Sequence, residues 1–266
     1  MMSNIKVEKD IVYDENNNLK LDVYQDPANA NQQRRAIIDL HGGGWWQGDK
    51  SKDSDWASDF VNEGYIVFVV NYRLAPQYLF PTAIDDVVTA YNWIKNSNYQ
   101  FDHQKIGAIG MSAGGNLAVE LAIRKGIPIA SWSGIIDLDH WINTHPQVVA
   151  SKKDAPNPNT ASTNIDQSGQ DDPYYKWFVL NYVGDNEQLL QEASPVHRVT
   201  KDAGPMFLAN SLNELVPTSG VLKLQATLTE QMVPSVAKLI EGNRHGKKYM
   251  DDALQPTLDF FDEYLK

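Results

Sequence analysis

The sequence predicts an α/β fold built on a mostly parallel sheet with helices on both faces, and two observations carry that expectation. Seven apolar runs of strand length recur, at 19–24, 36–40, 65–70, 105–109, 127–132, 206–209 and 235–240. Helix-compatible stretches alternate with them, the clearest at 82–95, whose Ile84, Val87, Val88, Tyr91 and Ile94 fall on one face. In such a sheet a binding site is expected at the carboxyl ends of the strands.

The 266 residues suit one large domain spanning 1–266 with a substantial core. Within it, residues 137–190 break the alternation. Their central part, Lys152 to Pro173, is dominated by Asn, Asp, Ser, Pro and Gln, with almost nothing to bury, and reads as a mobile surface loop. Aromatic residues flank it: Trp132 and Trp141 before, Tyr174, Tyr175, Trp177 and Phe178 after. The expectation is a small cap inserted between strands.

Composition narrows the partners. A formal net charge of -11, with no dense Lys/Arg patch to offset it, argues against nucleic acid. The chain has no cysteine, which excludes disulfides, thiolate metal sites and cysteine nucleophiles and fits a reducing compartment. The N-terminal stretch lacks the apolar core of a signal peptide, and the longest strongly apolar run, Tyr65 to Val70, is far too short to span a bilayer. A cytoplasmic protein with no membrane partner is expected. No surface for pairing with a second copy is identified, and a homo-oligomer stays open.

The chemistry is signalled first by Gly110-Met111-Ser112-Ala113-Gly114-Gly115. A serine hydroxyl is a weak nucleophile and must be presented on a sharp turn where a base can take its proton. Glycines two residues either side allow such a turn to pass close to the strand before it and the helix after it. Alone, the pattern also fits a plain strand-to-helix turn. Here a buried run at 105–109 precedes it and a run of helix formers at 116–124 follows, the order a nucleophile elbow requires.

A second motif, His41-Gly42-Gly43-Gly44-Trp45-Trp46, ends the 36–40 run. Acyl transfer develops negative charge on a carbonyl oxygen, and fixed backbone N–H groups about 3 Å away stabilise it. The amides of Gly43, Gly44 and Ala113 are the candidates for that oxyanion hole. Trp45 and Trp46 are candidates to line a substrate pocket, although large aromatics beside a loop are as often packing.

Taken together, HGGGWWQGDK, NYRLAP (Asn71 to Pro76) and GMSAGGN resemble the α/β-hydrolase fold, specifically the HGGG-bearing esterases related to hormone-sensitive lipase and small bacterial carboxylesterases. The resemblance runs from about Leu21 to the C-terminus. It implies an eight-stranded sheet and a catalytic triad in the chain order Ser, acid, His. The base is then expected after the last strand, where His245 stands in Glu241-Gly242-Asn243-Arg244-His245-Gly246. The other five histidines lack that position. None of the six forms an H-x-x-x-H pair, so neither a metal nor any other cofactor is called for.

The acid departs from the family pattern. Relatives carry an Asp just ahead of a Val-Pro pair, and Asn213 stands there, before Glu214 and Leu215-Val216-Pro217. An amide cannot supply the charge and can select the wrong histidine tautomer. Glu214, with its extra methylene, is the expected triad acid, and Asp202 and Asp137 are held in reserve. Arg73 is expected to anchor the NYRLAP loop, and the Asp85-Asp86 pair to serve the helix surface or that same anchoring.

The implied activity is serine-dependent hydrolysis of a small-molecule carboxylic ester. Short acyl groups, including those of acetylated carbohydrates, are expected because a small polar cap leaves little apolar surface for a long chain. An amide or arylformamide hydrolase using the same machinery is the near alternative. From a different class, the Asn213 departure allows a binding module that keeps the scaffold without turnover.

Overall fold

The computed structural model describes residues 4–31, 33–155 and 169–266. Among them eight strands form one sheet: β1 (Lys6–Asp14), β2 (Leu19–Gln25), β3 (Ala36–Leu40), β4 (Ile66–Val70), β5 (Ile106–Met111), β6 (Ile129–Trp132), β7 (Met206–Ser211) and β8 (Ser235–Ile240). Their order is β1-β2-β4-β3-β5-β6-β7-β8. The β1–β2 and β2–β4 pairs are antiparallel and every later pair is parallel. This is the α/β-hydrolase fold that the motifs imply.

Burial on both faces explains why the central strands read as unbroken apolar runs. All five positions of β3 and of β4 are buried. The apolar runs did not reveal β1. As an edge strand it is largely exposed, its sequence KVEKDIVYD is mostly charged, and its pairing with β2 shifts register twice.

Helices α1 (Ser54–Asn62), α2 (Thr82–Lys95) and α3 (Ala113–Lys125) alternate with the strands. Between β6 and β7 come α4 (Leu138–Thr144), α5 (Asp172–Tyr182) and the short α6 (Leu190–Ala193). Two more, α7 (Thr218–Glu230) and α8 (Met250–Tyr264), follow β7 and β8. One core joins α2, α3 and α7 to the sheet through Ile84, Val87, Leu117, Leu121, Val221 and Leu224, and it extends to Trp141 of α4 and Phe178 of α5. The other core packs α1 and α8 together through Trp56, Phe60, Leu258 and Phe261. Most of the polar segment expected to be a loop, residues 156–168, lies outside the described residues.

Arg73 anchors its loop to α2: its guanidinium pairs with Asp86, whose Oδ2 also accepts from the Arg73 backbone N–H at 2.8 Å. The Asp85-Asp86 pair is thus divided in function, since Asp86 is buried while Asp85 faces solvent.

Candidate active site

Ser112 sits between β5 and α3 with φ 55° and ψ -121°, a conformation that L-residues other than glycine rarely adopt. Two backbone bonds hold it there. Its N–H donates to Trp132 O at 2.9 Å, and its carbonyl accepts from Asn116 N at 3.1 Å. The glycines around it are required by closeness. A Cβ on Gly110 would lie 2.3 Å from Gly114 O, and one on Gly114 would lie 1.9 Å from Leu40 O. Because both obstacles are backbone, Gly114→Ala is expected to destabilise the fold by at least about 2 kcal/mol. A lower urea midpoint would register this. An unchanged midpoint would mean that α3 can move away from β3 at little cost.

The loop after β3 lies directly against the elbow: a Cβ on Gly42 would stand 3.4 Å from Ser112 Cβ and 3.1 Å from Met111 O. His41 is a structural member of this loop. It is buried, stacks on Tyr72 at 4.3 Å, and donates from Nδ1 to Gly42 O at 2.9 Å, while Tyr72 OH donates to His41 O at 2.7 Å. Burial lowers its pKa, which keeps it neutral. Gly43 and Gly44 both have positive φ, and Gly43 O accepts from Trp46 N and Gln47 N at 3.2 Å. Among the described residues, no backbone carbonyl accepts from the amides of Gly43, Gly44 or Ala113.

Two further loops bring an acid and a base together. Glu214 follows β7 and is fully buried, while its neighbour Asn213 is exposed. Glu214 Oε1 accepts from Ser211 N at 2.9 Å and from Ser133 Oγ at 2.8 Å, and Oε2 accepts from His245 Nδ1. With Nδ1 donating, the imidazole presents Nε2 as its basic nitrogen. There is no hydrogen bond between Nε2 and Ser112 Oγ among the described residues, yet the two loops touch: a Cβ on Gly246 would lie 2.9 Å from Met111 Sδ. The reserve acids stand elsewhere. Asp137 pairs with Lys223 at 2.9 Å and Asp202 is exposed.

The supports of this pair were absent from the sequence reading. Ser133, at φ 51° after β6, also accepts from Gly246 N at 3.0 Å and lies 2.8 Å from Tyr249 OH. It therefore ties the acid's strand to the histidine's loop. Burial and the Glu214 carboxylate push the Tyr249 phenol well above its ordinary pKa, so it remains a neutral hydrogen-bonding group. Lys247 fastens the other side of the loop. Its ammonium reaches Asp53 at 2.8 Å, Asp55 at 2.7 Å and Lys52 O at 2.7 Å. Burial opposes that charge, but Asp53 and Asp55 hold its pKa above the usual lysine range. No signal in the sequence marked Ser133, whose positive φ is a property of the backbone that sequence does not print.

The two tryptophans separate. Trp45 has no exposed surface and stacks on Tyr182 with ring centres 4.1 Å apart, so its place is in the core rather than on a pocket wall. Burial of its large ring against α5 outweighs any use as a contact surface. Trp46 is partly exposed, donates from Nε1 to Tyr174 OH at 3.1 Å, and meets Trp177 edge to face at 5.1 Å. The Lys152 ammonium lies 4.4 Å from the Trp46 ring centre.

The chain is similar to several known proteins. An ethyl acetate hydrolase of Pseudomonas putida is 38% identical over 100 residues, which take in 36% of this chain and 30% of that protein. An arylacetamide deacetylase of Bos taurus is 37% identical over 115 residues, 40% of this chain and 28% of that protein. The matched stretch thus spans under a third of either relative. Among solved structures, a truncated carbohydrate esterase from gut microbiota superposes with a TM-score of 0.76 at 17% identity, covering 98% of this chain and 96% of that one. At that identity the likeness is one of fold. Residues 21–228 match the model of the BD-FAE family, and the chain belongs to that family of α/β-hydrolase esterases.

Proposed function

We propose that this protein is a serine carboxylesterase that hydrolyses short-acyl esters through an acyl-enzyme. The observation that carries the reading is the buried Glu214 carboxylate, fixed by two other donors and hydrogen-bonded to His245 Nδ1, at the end of the sheet where Ser112 is held in its strained turn. Ser112 Oγ attacks the ester carbonyl while His245 Nε2 takes its proton. The developing oxyanion is met by the amides of Gly43, Gly44 and Ala113. His245 then passes the proton to the leaving alkoxide, and water, deprotonated in turn by Nε2, releases the acid and restores Ser112. Throughout, Glu214 holds the imidazole in its productive tautomer and offsets its positive charge.

Short acyl groups, acetate above all, are supported by the name of the ethyl acetate hydrolase relative, and acetylated carbohydrates belong to the same proposal. Trp46 is the tryptophan that serves as a pocket wall in this reading, with Trp177 and Tyr174 around it. An amide substrate is favoured by one observation, the arylacetamide deacetylase among the relatives. The binding-module alternative rested on Asn213, and it loses that support because Glu214 is the residue that meets His245.

A p-nitrophenyl ester series from acetate to decanoate, run beside 4-nitroacetanilide, tests the proposal. Turnover is expected to be fastest on acetate or butyrate and to decline with chain length. Hydrolysis of the anilide alone would replace the ester reading with the amide one, and no turnover on any of them would end both.

A further inference from the structure

Between strand β1 and helix α2, at the edge of the sheet, lies an open cavity of about 680 Å3 that the ester chemistry does not use. It is bounded by Glu8, Ile11 and Tyr13 of β1, by Thr89, Asn92, Trp93 and Asn96 along α2 and its end, and by Ser97 to Tyr99 beyond. The sheet order separates β1 from β5, which carries Ser112, by four strand spacings, or about 19 Å. The cavity is therefore no extension of the catalytic pocket. Its volume is that of a small-molecule site.

The lining has a definite chemistry. Trp93 and Tyr99 are both partly exposed, with ring centres 6.4 Å apart and planes inclined at 55°. Ser97 Oγ is buried with no hydrogen-bond partner among the described residues. Three amide side chains, Asn92, Asn96 and Asn98, are exposed around the rim. Some of their atoms are engaged, Asn92 Oδ1 by Lys125 and Asn96 Nδ2 by Asn92 O, which leaves Asn92 Nδ2, Asn96 Oδ1 and the whole Asn98 amide for a ligand. No Lys or Arg lines the cavity, and the one carboxylate, Glu8, is bonded to Gln25 at 3.0 Å and Lys6 at 3.3 Å.

That combination discriminates between ligands. A phosphate or carboxylate would find no cation. An apolar helix would find one aliphatic side chain, Ile11, among many amides. A pyranose ring has an apolar C–H face that packs on an aromatic ring and hydroxyls that both donate and accept, which matches planar amides free to do the same. We propose that this groove is a binding site for a neutral oligosaccharide chain, separate from the catalytic pocket and able to hold a glycan that carries the ester. The site does not depend on turnover at Ser112, so the two proposals fail separately.

The test uses Ser112→Ala protein, which cannot turn over an ester, titrated calorimetrically with xylohexaose and with cellohexaose as probes. Saturable binding of at least one is expected, weakened about tenfold by Trp93→Ala, a loss of the size seen when a central aromatic contact is removed. The exposed pair Asn92→Ala/Asn98→Ala should weaken it as well and guards against a folding defect at Trp93. In protein with Ser112 intact, both sets of changes should leave p-nitrophenyl acetate turnover within about twofold of the parent, because neither touches the catalytic loops. No binding of either probe, or binding unchanged by both sets, overturns the proposal.

Discussion

Replacing Ser112 with Ala is expected to lower kcat on p-nitrophenyl acetate by at least about 10⁴-fold while leaving the fold intact. The loss is large because the serine oxygen forms the covalent intermediate, and no other hydroxyl can take its place. Ser133 Oγ is the nearest chemical relative in the site, and it is committed to Glu214 and the Gly246 amide. Rate acceleration from the three backbone donors would persist, since none of them is altered by removing Oγ. A residual rate above that of water is therefore part of the expectation. Turnover that survived within tenfold of the parent would mean that Ser112 is not the nucleophile.

Glu214→Gln is expected to lower kcat by about 10³ to 10⁴-fold, whereas Asn213→Ala should change it by less than about twofold. In the parent, Oε1 receives two donors and Oε2 receives the Nδ1 proton. A glutamine keeps its carbonyl oxygen toward Ser211 N and Ser133 Oγ, which turns its amide N–H₂ toward the imidazole. Nδ1 must then accept, the proton moves to Nε2, and the base that Ser112 needs is lost. Asn213 is exposed, does not take the position of the acid, and joins the two loops through its backbone N–H, which donates to Gly242 O at 3.0 Å. If Asn213→Ala were the damaging change and Glu214→Gln harmless, the acid assigned here would be wrong.

The contrast between these neighbours shows what the sequence could reveal. The parallel strands were legible because burial on both faces forces continuous apolar runs, as in Ile66 to Val70. The elbow and the HGGG loop were legible because close backbone contacts demand glycine at fixed spacing. The choice between Asn213 and Glu214 was a matter of which side chain the turn after β7 directs inward, and spacing alone could not decide it. Ser133 and Lys247 were missed for a related reason. They act on the site by reaching across from β6 and toward α1, through contacts between residues 81 positions apart or more. Trp45 and Trp46 were indistinguishable as adjacent letters, and only the left-handed backbone at Trp45 sends one ring into the core while its neighbour stays at the surface.

The backbone conformation at Ser112 places the chain's durability and its chemistry in opposition. A left-handed serine costs on the order of 1–3 kcal/mol that glycine would not, so the residue best suited to position 112 for stability is one with no hydroxyl at all. Selection for thermal endurance alone would erode the nucleophile, and selection for turnover keeps the elbow under tension. Any effort to harden this protein therefore has to draw its gains from places such as the β1 edge or the exposed helix faces, and leave the strained turn as it is.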